Sequence, residues 1–248
     1  MLAWACIAPH GGEVIPELAT HCPERMAVTR SAMAELGRRC EKQRPETVVI
    51  FTPHGICIEG HISVSAANVS AGFVDGENGV RVAMRFAVDL DLAQAIALAA
   101  TDASVPVAEL GFSPKAGTAA LFPLDWGVIV PMYFLGAQWH EAPRIVVACP
   151  DRDIPRRALI EFGQATAAAA STLGRRIAIV CSADQGHGHA SDGPYGHAPL
   201  SAPHDAAYCR AVSDDALYRL LSWRNDRIEG AMTDRSWQTL MLNGALQT

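Results

Sequence analysis

The apolar positions of this chain follow two periodicities. Residues 3–8, 47–51, 144–149 and 176–181 form short, nearly continuous apolar runs rich in Val, Ile and Ala. Each closes in a polar turn: Pro9-His10-Gly11-Gly12, Thr52-Pro53-His54-Gly55, Pro150-Asp151, and Ser182-Ala183-Asp184-Gln185-Gly186-His187. Uninterrupted runs of this length predict strands covered on both faces, as in a sheet flanked by helices. Between them the spacing turns helical. Residues 25–42 carry Met26, Met33, Leu36 and Cys40 at helical intervals, and residues 155–173 open on Pro155 and stop at Gly174. Residues 205–223 and 233–246 also predict helices, the second with Thr233 as N-cap. Residues 62–69 and 80–88 alternate apolar with small or polar side chains around Asp75-Gly76-Glu77-Asn78-Gly79, the pattern of an antiparallel hairpin. The expected fold is α/β, a mainly parallel central sheet flanked by helices with an antiparallel hairpin extension. No repeat or linker interrupts it, so residues 1–248 read as one domain.

Composition narrows the partners. Half of the 248 residues are apolar and 19% are charged, which suits a packed core. Twenty Lys and Arg against 26 Asp and Glu give a net charge of −6 with no basic run, which argues against nucleic-acid binding driven by phosphate neutralisation. The longest charge-free apolar run, residues 126–139, is too short for a bilayer and is broken by Gly127 and Pro131, so no membrane partner is expected. The start of the chain has no positive region and reads as a strand, not as a signal peptide. Seven scattered cysteines without a Cys-x-x-Cys pattern point to reduced thiols and a cytoplasmic location.

Chemistry concentrates at the strand ends. In open α/β sheets ligands bind beyond the carboxyl ends of the strands, and His10, His54 and His187 follow three of the four predicted strands. A single histidine there is usually a capping or surface residue; three at equivalent ends suggest ligands distant in sequence converging on one ion. Imidazoles with a carboxylate suit divalent Fe, Mn, Zn or Co. A facial set of two histidines and one carboxylate serves non-haem Fe(II) oxygenases, and the same donors serve hydrolytic zinc. Ligand type alone leaves both chemistries open.

Several segments carry a resemblance. Ala8-Pro9-His10-Gly11-Gly12 leading to Ile15-Pro16-Glu17-Leu18, and Thr52-Pro53-His54-Gly55, resemble the metal-histidine segments in the catalytic chains of the class III extradiol ring-cleavage dioxygenases. Leu124-Asp125-Trp126-Gly127 leading to Val130-Pro131-Met132, the run from Ser182 to His187, and Asn243-Gly244-Ala245-Leu246 are similar to further segments in the same order. The resemblance implies Fe(II), with Zn or Mn as other occupants, held by His10, His54 and one carboxylate. It implies O2-dependent opening of a catechol-like or 2-aminophenol-like ring, with His187 as acid/base. Relatives work as homodimers or with a small α subunit.

Two departures stand out. The family's third ligand is a glutamate at or near the last helix; that helix has none here, so Asp234 takes the role, with Glu229 as the alternative. Trp126 stands where the family often has a histidine, and indole stacks on rings but cannot shuttle a proton. Asp125, Trp126, His189 and Tyr195 are the expected substrate contacts, beneath a polar loop at residues 190–204. His21, His61, His140 and His204 are left as structural or surface residues. Two other readings remain. One is a Memo-type relative that binds metal without ring cleavage, for which Cys181 would be the telling ligand. The other is a zinc-dependent hydrolase, which lacks a His-Glu-x-x-His helix here.

Overall fold

A computed structural model describes residues 1–19, 23–76, 79–111, 121–234 and 236–248. Nine strands are described: β1 Leu2–Ala8, β2 Thr47–Phe51, β3 Ile62–Ser65, β4 Val69–Asp75, β5 Arg81–Ala87, β6 Val107–Leu110, β7 Leu121–Pro123, β8 Arg144–Pro150 and β9 Ile177–Ser182. With them are seven α-helices: α1 Ala27–Lys42, α2 Leu90–Asp102, α3 Trp126–Leu135, α4 Arg156–Thr172, α5 Ser201–Ser213, α6 Asn225–Gly230 and α7 Trp237–Ala245. The large sheet has the order β1-β9-β2-β8-β3-β6, parallel throughout except for the β3–β8 pair. A smaller sheet, β5-β4-β7, holds the antiparallel β4–β5 hairpin. The fold is thus α/β as expected.

Strand β2 shows why the apolar runs are continuous. Val49 and Phe51 point into one core with Leu159 and Phe162 of α4 and Leu240 and Met241 of α7. Val48 and Ile50 point into the other, with Met33 of α1, Val128 and Ile129 of α3, and Phe86 and Phe122 of the smaller sheet. Both faces are covered, so alternation is lost. Each fully buried Val, Ile or Phe contributes about 1.5–3 kcal/mol.

Helices α4 and α7 cross at glycines. A Cβ on Gly163 would strike the Met241 carbonyl, and one on Gly244 the Ile160 carbonyl, so the two backbones touch there. This contact fixes where α7 starts, and with it the turn that precedes it.

Three boundaries differ from the sequence expectation. Residues 62–69 are not the first arm of the hairpin: β3 joins the large sheet and only β4 pairs with β5, because a break after Ser65 sends the chain to the second sheet. Helix 205–223 begins earlier and breaks, since Ser213-Asp214-Asp215 favours turn over helix and Asp215 takes a left-handed φ of 52°. A 3-10 segment, Leu217–Ser222, follows. The last helix starts at Trp237 with Ser236 at the N-cap position, so Thr233 is not its cap and Asp234 lies in the turn before it. Helices α2, capped by Asp89 on the Leu92 N–H, and α3, which buries Pro131, go beyond the elements that periodicity predicts. Glu77 and Asn78 of the hairpin turn, and His21, lie outside the described residues.

Candidate metal centre

Strands β1, β9 and β2 are adjacent and parallel, so their carboxyl ends lie side by side. That places His10 (after β1), Asp184 and His187 (after β9) and His54 (after β2) around one hollow, which the turn before α7 closes with Asp234. Among the described residues, two groups of metal-capable side chains form: His10, His54 and Asp234, and Asp184, His187 and Asp234.

The first group is tight. His10 Nε2 lies 2.9 Å from Asp234 Oδ2 and 3.0 Å from His54 Nε2, and His54 Nε2 lies 3.6 Å from the same Asp234 oxygen. Donors at right angles on an ion with bonds of about 2.1 Å stand about 3.0 Å apart, and about 3.4 Å at the tetrahedral angle. The three separations therefore match three donors on one face of an ion. Two imidazole nitrogens turned toward each other cannot both present lone pairs without a cation or proton between them. The donor set fits a divalent transition metal.

Surrounding groups hold these side chains. His10 is buried; its Nδ1 meets Ser182 Oγ at 2.9 Å, and its backbone N–H donates to Asp184 Oδ1 at 3.1 Å. The Thr52 hydroxyl donates to Asp125 Oδ1 at 2.9 Å and accepts the His54 backbone N–H at 3.2 Å. The Trp126 indole stacks on His54 with ring centres 4.2 Å apart, yet keeps 48% of its surface exposed, so its outer part faces the opening. The packing of Gly127 against Thr52 Oγ1 and Asp125 Oδ1 leaves no room for a side chain.

The local field is negative. Burial opposes the charged form of His10, but the bond to Asp234 and the carboxylates of Asp184, Asp234 and Asp125 outweigh it and raise its pKa. Burial would push Asp234 up; His10 and His54 override it and hold the carboxyl well below the usual range. Burial raises Asp125, only partly offset by Thr52 and His54, and its Oδ2 has no partner.

His187 faces the same hollow. The Met232 carbonyl accepts from its Nδ1 at 2.5 Å and from its backbone N–H at 3.1 Å, while Tyr195 packs on its ring at 4.9 Å. A carbonyl only accepts, so the Nδ1 proton is fixed and Nε2 is left as the basic atom in the neutral ring. Met232 takes a left-handed φ of 52°, a costly conformation for a long side chain, beside this contact. A cavity of about 270 Å³ runs from Pro9 and Gly11 past Met26 to Asp184 and His187.

A model of the family described as the catalytic LigB subunit of aromatic ring-opening dioxygenase matches residues 5–248. The chain belongs to this family. The LigB match spans every residue of both metal-capable groups. Protein CA_C1420 of Clostridium acetobutylicum is 23% identical over 230 residues, 91% of this chain and 48% of that protein. The chain thus spans about half the length of this curated relative. The crystal structure of uncharacterized protein JW3007 from Escherichia coli K12 has the same fold, with a TM-score of 0.54, 18% identity, and coverage of 86% of this chain and 80% of that one.

Within this LigB frame the remaining expected residues fall unevenly. Glu229 belongs to neither metal-capable group. Asp125 faces Thr52 with a buried carboxylate and not the cavity. His189 pairs with Asp205 at 3.0 Å, and Asp205 also accepts the Gly186 N–H. Cys181 meets Thr239 Oγ1 at 3.5 Å in the core on the α4–α7 face, with its thiol pushed up to about 12 by burial. Sequence reasoning missed Asp184, Ser182 and Thr52 as parts of the site. Position alone marks them, since all three sit at the ends of the strands that carry the histidines. No described helix is long and apolar enough to cross a membrane.

Proposed function

We propose that this chain is a non-haem Fe(II)-dependent extradiol dioxygenase that opens a catechol-like or 2-aminophenol-like ring with O2. The observation that carries this reading is the facial set of His10, His54 and Asp234 with the free nitrogen of His187 lining the same hollow. His10, His54 and Asp234 would hold the iron, which when bound would supply Lewis acidity toward the substrate oxygens and the redox chemistry that O2 requires. Ser182 fixes the His10 imidazole and Thr52 holds the backbone of His54, both by hydrogen bonds outside the ligand set. His187 Nε2 takes a hydroxyl proton from the ring as it binds and returns it as the ring opens; Met232 keeps the tautomer right for the first step. The exposed indole of Trp126 offers a face for the aromatic ring beside His54.

The test is anaerobic loading with Fe(II), followed by oxygen uptake and the yellow ring-fission product across catechol, protocatechuate, gallate and 2-aminophenol. Turnover of at least one is expected, with His187→Gln slowing it about 10²–10⁴-fold while iron stays bound. Stoichiometric iron with no oxygen consumed by any of them would overturn the reading. A metal-binding protein without turnover would then be favoured. Among the described residues neither metal-capable group contains a cysteine, so nothing there supports a cysteine-ligated centre.

A further inference from the structure

Besides the catalytic ion, the hollow contains a second set of donors that ring cleavage does not use as ligands. We propose that it takes a second divalent transition-metal cation, bound more weakly by Asp184, His187 and the shared Asp234, and that filling it silences the reaction by occupying the free nitrogen of His187. This rests on the reading that His10, His54 and Asp234 hold the catalytic iron.

Asp184 stands at the edge of the first group, its Oδ2 3.6 Å from His10 Nε2, and reaches toward His187 on the other side. The donor atoms of Asp184, His187 and Asp234 all lie within 4.8 Å of one another. Three donors spread around an ion with bonds of about 2.1 Å are about 3.6 Å apart, so the set closes with shifts of up to about an ångström. Asp234 Oδ2 is the oxygen facing His10 and His54, and a carboxylate has a second oxygen with which to bridge. The Met232 carbonyl on His187 Nδ1 is the outer contact that commonly orients a ligating imidazole. Asp184 and His187 both line the open cavity, which gives the ion an entry path.

The same facts fix the order of filling. The first group is already at ligand spacing, 2.9–3.6 Å, whereas the second must draw in. Two dications against the two carboxylates of Asp184 and Asp234 leave excess positive charge, so the second ion binds against repulsion. A histidine with two carboxylates suits Zn(II), Mn(II), Co(II) or Fe(II).

Titration of the full-length apoprotein with Zn(II) by calorimetry tests this. Two ions per chain are expected, the second at least tenfold weaker, and Asp184→Asn should remove the second. In the iron-loaded wild type, several equivalents of Fe(II) beyond the first should inhibit turnover. If the variant does not fold, anomalous scattering from wild-type crystals soaked in Zn(II) decides between two peaks and one. A single ion per chain at every concentration, with ring cleavage intact, would overturn the second site and spare the proposed function. No bound metal at all would sink both.

Discussion

Thr52 does two tasks with one oxygen. It donates to Asp125, whose carboxylate is otherwise shut away from solvent, and accepts from the backbone of His54. Thr52→Val keeps the shape and removes both bonds, leaving a buried carboxylate unpartnered. We expect a loss of about 1–3 kcal/mol in chemical denaturation and a metal affinity weakened about 10–100-fold, read by calorimetry. Another residue-scale effect is pH. Burial lowers the pKa of His204, deepened by Arg227 and partly offset by Asp205. The unfolded chain then binds this proton more readily than the folded one. Its contribution is complete above about pH 6.5 and is lost as the pH falls toward the folded value. Comparing stability from pH 7 to 5, His204→Gln should flatten the acid slope relative to wild type, by at most about 1.4 kcal/mol per pH unit. His10, His54 and His187 were legible because each sits where a buried strand must end. Asp184, Ser182 and Thr52 were not, because a small polar residue after a strand looks the same whether it braces a ligand or only caps a turn.

At the scale of elements, the contact between α4 and α7 is the weak point for substitution. Gly163→Ala forces a methyl into the Met241 carbonyl, and a backbone cannot step aside as a side chain can. The expected cost is about 3 kcal/mol or more by thermal unfolding, in the range of severe core overpacking. Any shift of α7 carries Asp234 with it, so metal affinity should fall too. The buried strands and α4 were readable from continuous apolar runs and from Pro155 and Gly174. The ends of the other elements were not. A left-handed Asp215 depends on local turn geometry that periodicity does not carry. Helix α3 is apolar all round, so its spacing offered no helical face to see.

For the molecule as a whole, the sheet order decides whether a site exists. That residues 3–8, 47–51 and 176–181 are strands could be read from their side chains; that the last lies between the first two could not, because pairing partners are set by packing across the chain. With the centre filled, the folded state alone holds the ion. At a free Fe(II) or Zn(II) concentration of a hundred times the dissociation constant this adds about 2.7 kcal/mol, so chelation with EDTA should lower the melting temperature by several degrees. An unchanged melting temperature would mean that the metal does not bind the native fold.

The position of β9 has a consequence for how the centre is made. Two of its rings emerge from the ribosome early, on β1 and β2, yet each pairs with a strand translated more than a hundred residues afterwards. The nascent chain therefore carries both imidazoles with no strand between them to align them until the late strand slides between its elders. Asp234 follows later still, so the carboxylate that completes the set is the last of its three donors to be made.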